Sequence, residues 1–372
     1  MTMRLLLCAL VVSLVACDDR NKAAAPAQPT PAAPPPQAAK PAEPAAADGE
    51  IDEGMLGAFK PALPEVVENK DNPLTEEKIV LGRALYYDTR LSASNEISCN
   101  TCHRLEVDGA DGRKSSVGHK QQTGKRNSPT VYNSAGHFVQ FWDGRAKDLE
   151  EQAKGPITNP IEMGMAGDAD AVKEIAKVAW YRDQFAKVFP DEKSPITLNN
   201  VAKAIAAFER KLMTPSRWDK FLAGDKTALT AEEKAGFKEF VNTGCTACHM
   251  GTYVGGSMYQ KAGLVTPWPN QEDQGRFEVT KQEADKMMFK VPSLRMVEKT
   301  APYFHDGSAA TLEEAVKVMA KHQLGKTLTD AQVTSIITWL KTLTGEIPKD
   351  YVAQFKVPDA IPPAPKPTKK GK

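Results

Sequence analysis

The chain has 372 residues, of which 48 are lysine or arginine and 47 are aspartate or glutamate, so its formal net charge is +1. This balance leaves no cationic surplus for a polyanion, which excludes nucleic acid as an expected partner. Hydrophobic residues make up 41% of the chain, enough to bury a core, and no apolar run reaches the roughly 18 residues of a membrane-spanning helix.

The N-terminus is typical of a bacterial export signal with a lipid site. Arg4 precedes an apolar run from Leu5 to Ala16, and the run ends in the lipobox-like sequence Leu-Val-Ala, followed by Cys17. We therefore predict a lipoprotein signal peptide over residues 1–16 and lipidation of Cys17, with a plain signal peptide as the alternative. Asp18 favours retention at the inner membrane, so the expected location is the periplasm, tethered to that membrane only by the lipid anchor.

Two segments lack the composition of a core. Residues 17–50 are rich in alanine and proline and are predicted to form a disordered tether, and residues 359–372 form a disordered tail of prolines and lysines. The tether either lets the folded part reach soluble partners or only holds it clear of the lipid headgroups. Folded material is expected in residues 51–215 and 216–358, which we call the N-terminal and C-terminal regions.

Helical periodicity recurs along these regions, whereas the alternation of a strand is scarce. Thr75 begins one helical pattern, and Thr230, with Glu233 three residues later, forms a capping box before another. Further helices are predicted at Val172–Phe189, Asn199–Leu212 and Asp330–Leu343. The predicted fold class is therefore mainly α, with long connecting loops.

Four of the six cysteines fall in two pentapeptides, Cys99-Asn-Thr-Cys102-His103 and Cys245-Thr-Ala-Cys248-His249. C-x-x-C-H is the attachment signal of haem c, in which the thiols form thioethers and the histidine becomes the proximal iron ligand. A zinc ribbon needs no histidine after each cysteine pair, and a thioredoxin-type motif needs a βαβ context. The sequence therefore predicts two covalently bound haem c groups.

A second repeat follows the haem motifs at an offset of 163 residues. Phe141–Glu151 aligns without gaps with Phe304–Glu314, sharing Phe-x-Asp-Gly and Leu-Glu-Glu, and Pro129 aligns with Pro292 in the same register. Two haem motifs that are each followed by the same element indicate a duplicated module. The N-terminal and C-terminal regions are therefore predicted to be tandem cytochrome c-like haem domains.

The repeat also predicts that the two haem sites differ. After Glu314 the second copy continues as a helix to Met319, whereas Gly155 and Pro156 are expected to break the helix in the first copy, with Pro156 aligned to Met319. Methionine ligation raises the potential of a haem, and proline cannot ligate iron. The C-terminal haem would be closed and the N-terminal haem open. Spacing alone also fits a core role for Met319, and the competing methionines are Met250, Met258, Met287, Met288 and Met296.

From about Gly54 to Pro348 the chain resembles the bacterial dihaem cytochrome c peroxidases. The likeness runs through both haem motifs, Phe-Trp-Asp-Gly-Arg-Ala at 141–146, Ala-Pro-Tyr-Phe-His-Asp-Gly at 301–307 and Met319. The resemblance implies a peroxidatic N-terminal domain and an electron-transfer C-terminal domain. It implies reduction of hydrogen peroxide to water, with a small cytochrome c or a cupredoxin as electron donor. Relatives are commonly homodimers.

The resemblance further implies the iron ligands. His103 and His249 would be the proximal ligands, and Met319 would be the distal ligand of the C-terminal haem. His119, within Ser-Val-Gly-His, would be the displaceable distal ligand of the N-terminal haem. Without the resemblance, a single loop histidine is more often a solvated surface residue.

The resemblance implies three active-site residues. Glu162 matches the catalytic glutamate of the family, Gln152 a pocket glutamine and Trp142 the tryptophan between the haems. A carboxylate beside an open haem can carry a proton from one peroxide oxygen to the other, which is general acid–base catalysis. The alternatives are a solvated loop acid for Glu162 and an aromatic wedge for Trp142.

The resemblance also implies a calcium site between the domains. Asn127 would provide a side-chain oxygen, and Thr300 and Pro302 would provide backbone carbonyl oxygens. Oxygen ligands suit Ca²⁺, and three protein ligands would leave much of the coordination shell to water.

Two rival functions are a dihaem electron-transfer cytochrome without peroxidase activity and an enzyme that oxidises a protein side chain. The latter branch has tyrosine where Met319 stands.

Overall fold

The computed structural model describes residues 51–358. The predicted signal peptide, the lipid site at Cys17, the tether and the tail after residue 358 lie outside these residues. Within the described part, no helix is both long enough and apolar enough to cross a bilayer.

The described residues are mainly helical, as predicted. In chain order the helices are α1 (Glu53–Gly57), α2 (Glu76–Tyr87), α3 (Cys99–Cys102), α4 (Leu149–Thr158), α5 (Asp168–Ala176), α6 (Ala179–Val188), α7 (Leu198–Glu209), α8 (Arg217–Leu222), α9 (Ala231–Thr243), α10 (Phe277–Thr280), α11 (Leu312–Leu324), α12 (Asp330–Leu340) and α13 (Lys349–Val352). Two short strands, β1 (Tyr259–Lys261) and β2 (Met288–Lys290), pair antiparallel with Tyr259 opposite Lys290.

The helix starts that were predicted from capping residues are confirmed. The Thr75 side chain accepts a hydrogen bond from the Lys78 amide at the start of α2. At the start of α9, Thr230 and Glu233 form the expected reciprocal pair, with each side chain accepting from the other's backbone amide. Side-chain caps satisfy amides that have no partner within the helix, so they define these boundaries well.

One predicted helix is wrong in its continuity. The pattern over Val172–Phe189 belongs to two helices, α5 and α6, because Val178 between them adopts an extended conformation (φ −92°, ψ 121°). Val178 is itself buried, so the apolar periodicity passes through the break unchanged. The helix predicted over Asp330–Leu343 ends at Leu340, and the next three residues, Lys341–Leu343, form a 3₁₀ turn.

The expected helix break at Pro156 is also wrong. Helix α4 continues through Pro156 to Thr158. Proline lacks the amide that would bond to the carbonyl oxygen four residues earlier, so this turn of α4 lacks one helical hydrogen bond. The chain then folds back, and the Met163 amide donates to the Pro156 carbonyl oxygen at 3.1 Å. Because α4 stays helical, Pro156 occupies the position on α4 that Met319 occupies on α11.

The same close helix crossing occurs in both regions. A Cβ atom on Gly82 of α2 would lie 1.8 Å from the Ala204 carbonyl oxygen of α7. A Cβ atom on Gly236 of α9 would lie 2.1 Å from the Ser335 carbonyl oxygen of α12. Glycine allows two backbones to approach closely, so the α2–α7 pair corresponds to the α9–α12 pair.

Two large clusters and one small cluster of buried side chains form the core of the described residues, and the two ends of the described part cross between the large clusters. Phe59 packs with Trp218 of the C-terminal cluster, with ring centroids 5.7 Å apart. Tyr351 stacks on Phe208 of the N-terminal cluster at 5.1 Å. Each terminal segment therefore packs on the core of the opposite region, and the boundary between residues 215 and 216 stays a prediction.

Candidate haem sites and active site

The first C-x-x-C-H motif forms the short helix α3 and the residue after it. The His103 amide donates to the Cys99 carbonyl oxygen at 3.0 Å. The His103 Nδ1 atom lies 3.1 Å from the Pro129 carbonyl oxygen and 3.3 Å from that of Gly109. Donation from Nδ1–H to a carbonyl leaves Nε2 with the lone pair that an iron ion needs.

The second motif has the same local arrangement. Gly244 ends α9 in the left-handed conformation (φ 100°) and starts the turn that contains Cys245. The His249 amide donates to the Cys245 carbonyl oxygen at 3.0 Å, and His249 Nδ1 lies 3.3 Å from the Val254 carbonyl oxygen. Burial lowers the pKa of His249 to about 4, so the imidazole is neutral and able to ligate a metal ion.

The four thiols fit covalent haem attachment. Cys99, Cys102, Cys245 and Cys248 form no disulfide. Burial raises the pKa of the Cys99 thiol and raises that of Cys245 to about 12, which is unlike a reactive thiolate. Cys245 and Cys248 line a cavity of about 230 Å³ together with His249. The residues present therefore suit haem c.

Met319 is the methionine that lines this cavity. Its helix, α11, carries it to the wall formed with His249 and Trp268. None of the five competing methionines lines the cavity, although Met287 packs in one small cluster with Trp268 and Met319. Met250 is 39% exposed, and Met296 is buried in the N-terminal cluster. The geometry favours Met319 over its competitors, and ligation itself stays a prediction.

The corresponding part of the N-terminal region has a different construction. Gln152 lies one turn before Pro156 on the same face of α4. After α4, a tight turn carries Glu162 and closes with the Gly164 amide donating to the Asn159 carbonyl oxygen at 2.9 Å. The N-terminal copy therefore carries an amide on the helix and a carboxylate after it, in the region where the methionine is missing.

His119 packs directly on the Glu162 turn. The His119 amide donates to the Glu162 carbonyl oxygen at 2.7 Å. A Cβ atom on Gly164, which has a φ of +71°, would lie 2.7 Å from the His119 ring. The His119 Nδ1 atom is buried and has no hydrogen-bond partner among residues 51–358. The structure thus brings two predicted site residues, distant in sequence, into contact.

The Glu162 carboxyl lies in a mixed electrostatic environment. Burial raises the pKa of Glu162, and Arg145 and a hydrogen bond from Asn159 oppose that shift. The pKa of the Cys102 thiol is raised mainly by burial and also by Glu162, which relates the carboxyl to the haem-attachment cysteine. A carboxyl with a raised pKa is suited to proton transfer.

Arg145 is a site residue that sequence reasoning missed. Its guanidinium stacks on Phe141 at 3.5 Å from the ring centroid and pairs with Asp143 at 3.0 Å. The available signal was the repeat itself, because Ser308 stands at the matching position of the C-terminal copy. A cation beside Glu162 is thus specific to the N-terminal copy.

Trp142 and the three predicted calcium ligands line the cavity that also contains His249. The Trp142 indole donates to the Asn127 carbonyl oxygen at 2.9 Å. The Trp142 ring lies 6.3 Å from that of His305, its partner in the repeat. Trp142 therefore stands where the two copies meet.

The oxygen atoms of the predicted cation site are available. The Asn127 amide group donates to the Arg113 carbonyl oxygen at 2.8 Å, and its Oδ1 accepts no hydrogen bond from residues 51–358. The carbonyl oxygens of Thr300 and Pro302 likewise accept no backbone hydrogen bond in that range. No cluster of three or more histidine, cysteine or acidic residues suited to a metal ion occurs in the described part of the chain. Neutral oxygens of this kind fit Ca²⁺ completed by water.

Sequence comparisons give close relatives. Residues 76–227 match the family model described as di-haem cytochrome c peroxidase. The cytochrome c551 peroxidase of Nitrosomonas europaea is 46% identical over 84% of this chain and 90% of its own length. The cytochrome c551 peroxidase of Pseudomonas aeruginosa is 43% identical over 83% of this chain and 90% of its own length.

Solved structures show the same fold. A MauG-like protein associated with microbial copper homeostasis superposes with a TM-score of 0.67 and 31% identity, over 79% of this chain and 96% of that chain. The diheme peroxidase BthA from Burkholderia thailandensis superposes with a TM-score of 0.63 and 20% identity, over 77% of this chain and 92% of that chain. The latter likeness is one of fold alone.

Proposed function

The chain belongs to the di-haem cytochrome c peroxidase family, and we propose that it divides its reaction between two haem sites of opposite character. The enzyme is a cytochrome c peroxidase, which reduces hydrogen peroxide with electrons from a cytochrome, and its cofactors are two haem c groups. In the proposal, the site with His103 reacts with peroxide, and the site with His249 and Met319 stores and passes electrons.

One observation carries this proposal: the two copies use a single helical position differently. Met319 of α11 lines the cavity that contains His249, whereas Pro156 stands at the matching position of α4. A thioether sulfur can ligate iron and raise its potential, but proline has no donor atom. The N-terminal iron would therefore keep a coordination position for peroxide.

The residues around that position would move the proton. Bound haem would supply the iron that binds peroxide and exchanges electrons. Glu162 would accept the proton from the peroxide oxygen nearer the iron and return it to the other oxygen, which leaves as water. Two electrons and two further protons complete the reduction of one peroxide to two waters. Gln152 carries an amide that would orient peroxide for this transfer.

His119 would act as the displaceable distal ligand. Its buried, unpartnered Nδ1 supports a role in which the ring gains a partner only when a group is bound. The next two residues, Lys120 and Gln121, are left-handed (φ 55° and 60°), a strained conformation for residues other than glycine. Because the His119 amide is bonded to the Glu162 carbonyl, displacement of His119 would be coupled to the Glu162 turn.

Trp142 and a calcium ion would complete the contact between the copies. Trp142 would lie on the electron path between the haems, a role supported by its place in the cavity wall. Ca²⁺ would bind Asn127 Oδ1 and the carbonyl oxygens of Thr300 and Pro302. The absence of competing donors on these oxygens supports that site.

The donor, assembly and location are proposed from the sequence. A small cytochrome c or a cupredoxin would deliver single electrons by brief encounters, and a homodimer would be the working assembly. Lipidation of Cys17 would tether the enzyme to the inner membrane on its periplasmic side. These proposals concern the finer setting of an activity that the family relation already supports.

The test is peroxide-dependent oxidation of a reduced small cytochrome c by the holoprotein. Wild type, Glu162→Gln and the control Glu151→Gln, which alters an exposed carboxyl on α4, are each assayed fully oxidised and after reduction of the high-potential haem alone. We expect Glu162→Gln to lose about 10²–10⁴-fold in kcat/KM and Glu151→Gln to match wild type. Burial raises the pKa of Glu162, so its ionised form costs stability at neutral pH and the glutamine variant should be no less stable.

Activity that appears only after prereduction would support His119 as the displaceable ligand. Activity in both states would keep the peroxidase and remove that role. Equal activity of Glu162→Gln and wild type would contradict the acid–base role. No activity in either state, with both haems attached, would leave an electron-transfer cytochrome.

A further inference from the structure

The two copies of the repeat meet in a reciprocal pair of backbone hydrogen bonds. The Asn127 amide donates to the His305 carbonyl oxygen, and the Lys290 amide donates to the Trp142 carbonyl oxygen, both at 2.7 Å. In the repeat register, Lys290 corresponds to Asn127 and His305 corresponds to Trp142, each at an offset of 163 residues. Each bond is therefore the image of the other under a local two-fold relation between the copies.

The backbone around these bonds follows the same relation. Phe141 and Phe304, which correspond in the repeat, are both left-handed, with φ values of 66° and 74°. Each copy also closes the turn at this position with an antiparallel bridge. The correspondence between the copies is thus one of structure as well as of sequence.

This relation gives the proposed calcium site a counterpart on the opposite side of the interface. Asn127 corresponds to Lys290, and Thr300 corresponds to His137. Asn127 offers a side-chain oxygen to the proposed cation, whereas Lys290, at the corresponding position, carries an ammonium group. The Lys290 Nζ atom lies 3.1 Å from His137 Nδ1, so the two corresponding residues are in direct contact.

The Lys290 ammonium is buried and has no anionic partner in the described part of the chain. The residue is 7% exposed, and His137 is its one side-chain partner among residues 51–358. Burial lowers the pKa of Lys290 to about 8, which still leaves the amino group mostly charged at neutral pH. An ammonium group has only donors, so His137 Nδ1 accepts and the ring proton lies on Nε2. A buried charge with no opposite charge among residues 51–358 is costly, so an anion from outside these residues would stabilise it.

The cavity that Lys290 lines indicates the source of that anion. Cys248, His249 and Met319 line the same cavity, which is the candidate site of the C-terminal haem. Haem c carries two propionate carboxylates, and a carboxylate is a strong acceptor for an ammonium donor. The cofactor would therefore bring the missing negative charge.

We propose that Lys290 is a tethered cation that occupies the counterpart of the calcium site and binds a propionate of the C-terminal haem. One side of the interface would then hold a metal ion and the other an amino group of the chain itself. A fixed positive charge near the haem disfavours the oxidised iron, which carries one more positive charge, and so raises the reduction potential. Lys290 would thus hold the propionate of the electron-storing haem and help to set its reduction potential. The inference rests on the proposed placement of that haem between His249 and Met319.

The test measures the potentials of both haems by spectroelectrochemical titration of the holoprotein. Lys290→Met should lower the equilibrium constant for reduction of the C-terminal haem about tenfold, which corresponds to a drop of about 59 mV in its one-electron reduction potential. The N-terminal haem should keep its potential. Lys290→Arg retains the charge and should restore the potential. The matched control is Lys326→Met, because Lys326 is an exposed lysine whose ammonium donates to the Thr243 carbonyl oxygen beside the same haem motif. Solvent screening should keep its effect below about threefold.

The proposal would be overturned if the equilibrium constant for reduction of the C-terminal haem in Lys290→Met stayed within twofold of wild type. An equal shift in Lys326→Met would also overturn it, by showing a general charge effect. Lys290→Gln provides the same test if Lys290→Met does not accumulate with both haems. The potential is measured without peroxide, so a shift in an inactive enzyme would support this inference while contradicting the proposed peroxide chemistry.

Discussion

The two haem sites share one frame and differ in a few side chains. His103 Nδ1 lies 3.1 Å from the Pro129 carbonyl oxygen, and His249 Nδ1 lies 3.3 Å from the Val254 carbonyl oxygen in the other copy. At the position of the proposed methionine ligand, Met319, the N-terminal copy has Pro156. The C-x-x-C-H motif therefore recurs in both copies, and the copies differ at the position of Met319.

The two copies share the motif that attaches haem, and we expect single positions around each motif to set what each haem does. Ser308 of the C-terminal copy corresponds to Arg145, whose charge lowers the pKa of the nearby Glu162 carboxyl against the larger effect of burial. Asn127 corresponds to Lys290 in the same way. All three differences concern a charge or a proposed iron ligand, and ligands and nearby charges tune iron chemistry.

The largest difference in stability is expected where one copy uses an ion pair and the other an aromatic ring. Arg295 is 1% exposed and forms a two-pronged ion pair with Asp219, at 2.6 and 2.9 Å. The corresponding Tyr132 instead donates its hydroxyl to the Leu105 carbonyl oxygen. Arg295→Met should cost about 3–5 kcal/mol of unfolding free energy because it leaves Asp219 buried and unpaired. Tyr132→Phe should cost about 1 kcal/mol. Denaturant unfolding of the holoproteins measures both.

The pH dependence distinguishes an unpaired carboxylate from simple loss of packing. Burial alone would raise the pKa of Asp219, but Arg295 and the hydrogen bonds to Asp219 outweigh it and hold that pKa below its ordinary value. In wild type the carboxylate therefore adds stability that is lost only as the pH falls through this lowered pKa. In Arg295→Met the pKa should rise, so the deficit should be largest at neutral pH and shrink on acidification. A deficit that is constant with pH would indicate lost packing instead.

A smaller effect is expected from removing Met319, the proposed ligand of the C-terminal haem. Met319→Leu retains the side-chain volume and removes the sulfur. The equilibrium constant for reduction of the C-terminal haem should therefore fall at least about tenfold, which corresponds to a drop of about 59 mV in its reduction potential. The control is Met258→Leu, because Met258 lies outside the cavity that contains His249. The thioether–iron absorption band should disappear in the first variant only. Its persistence in Met319→Leu would show that another group ligates the iron.

The features that sequence predicted best are those that a short run of residues encodes. Haem attachment needs five consecutive residues, and the caps at Thr75 and Thr230 need four, so these elements could be read locally. The break at Val178 could not, because a buried residue in an extended conformation leaves the apolar periodicity intact. The continuation of α4 through Pro156 depends on how the following turn satisfies the backbone, which periodicity does not reveal.

The candidate site was predictable as a set of residues but not as a set of contacts. His119 and Glu162 meet through a backbone bond across two loops. Lys290 and His137 meet across the interface between the copies. The offset of 163 residues was visible in the sequence, but its consequence depends on the two-fold relation that only the folded backbone provides.

The smallest effect concerns the charge that only the N-terminal copy carries. Burial raises the pKa of Glu162 and Arg145 opposes this, so Arg145→Gln should raise that pKa further. Because Glu162 must be ionised to accept a proton, the acid limb of kcat/KM should move to higher pH while the plateau stays unchanged. The Arg145 side chain is 39% exposed, so screening should limit the loss on the acid limb to about fivefold. Arg145→Lys retains the charge and should keep the wild-type profile. A uniform loss at every pH would instead assign Arg145 a direct contact with peroxide, and the difference between the copies would then be one of binding and not of proton affinity.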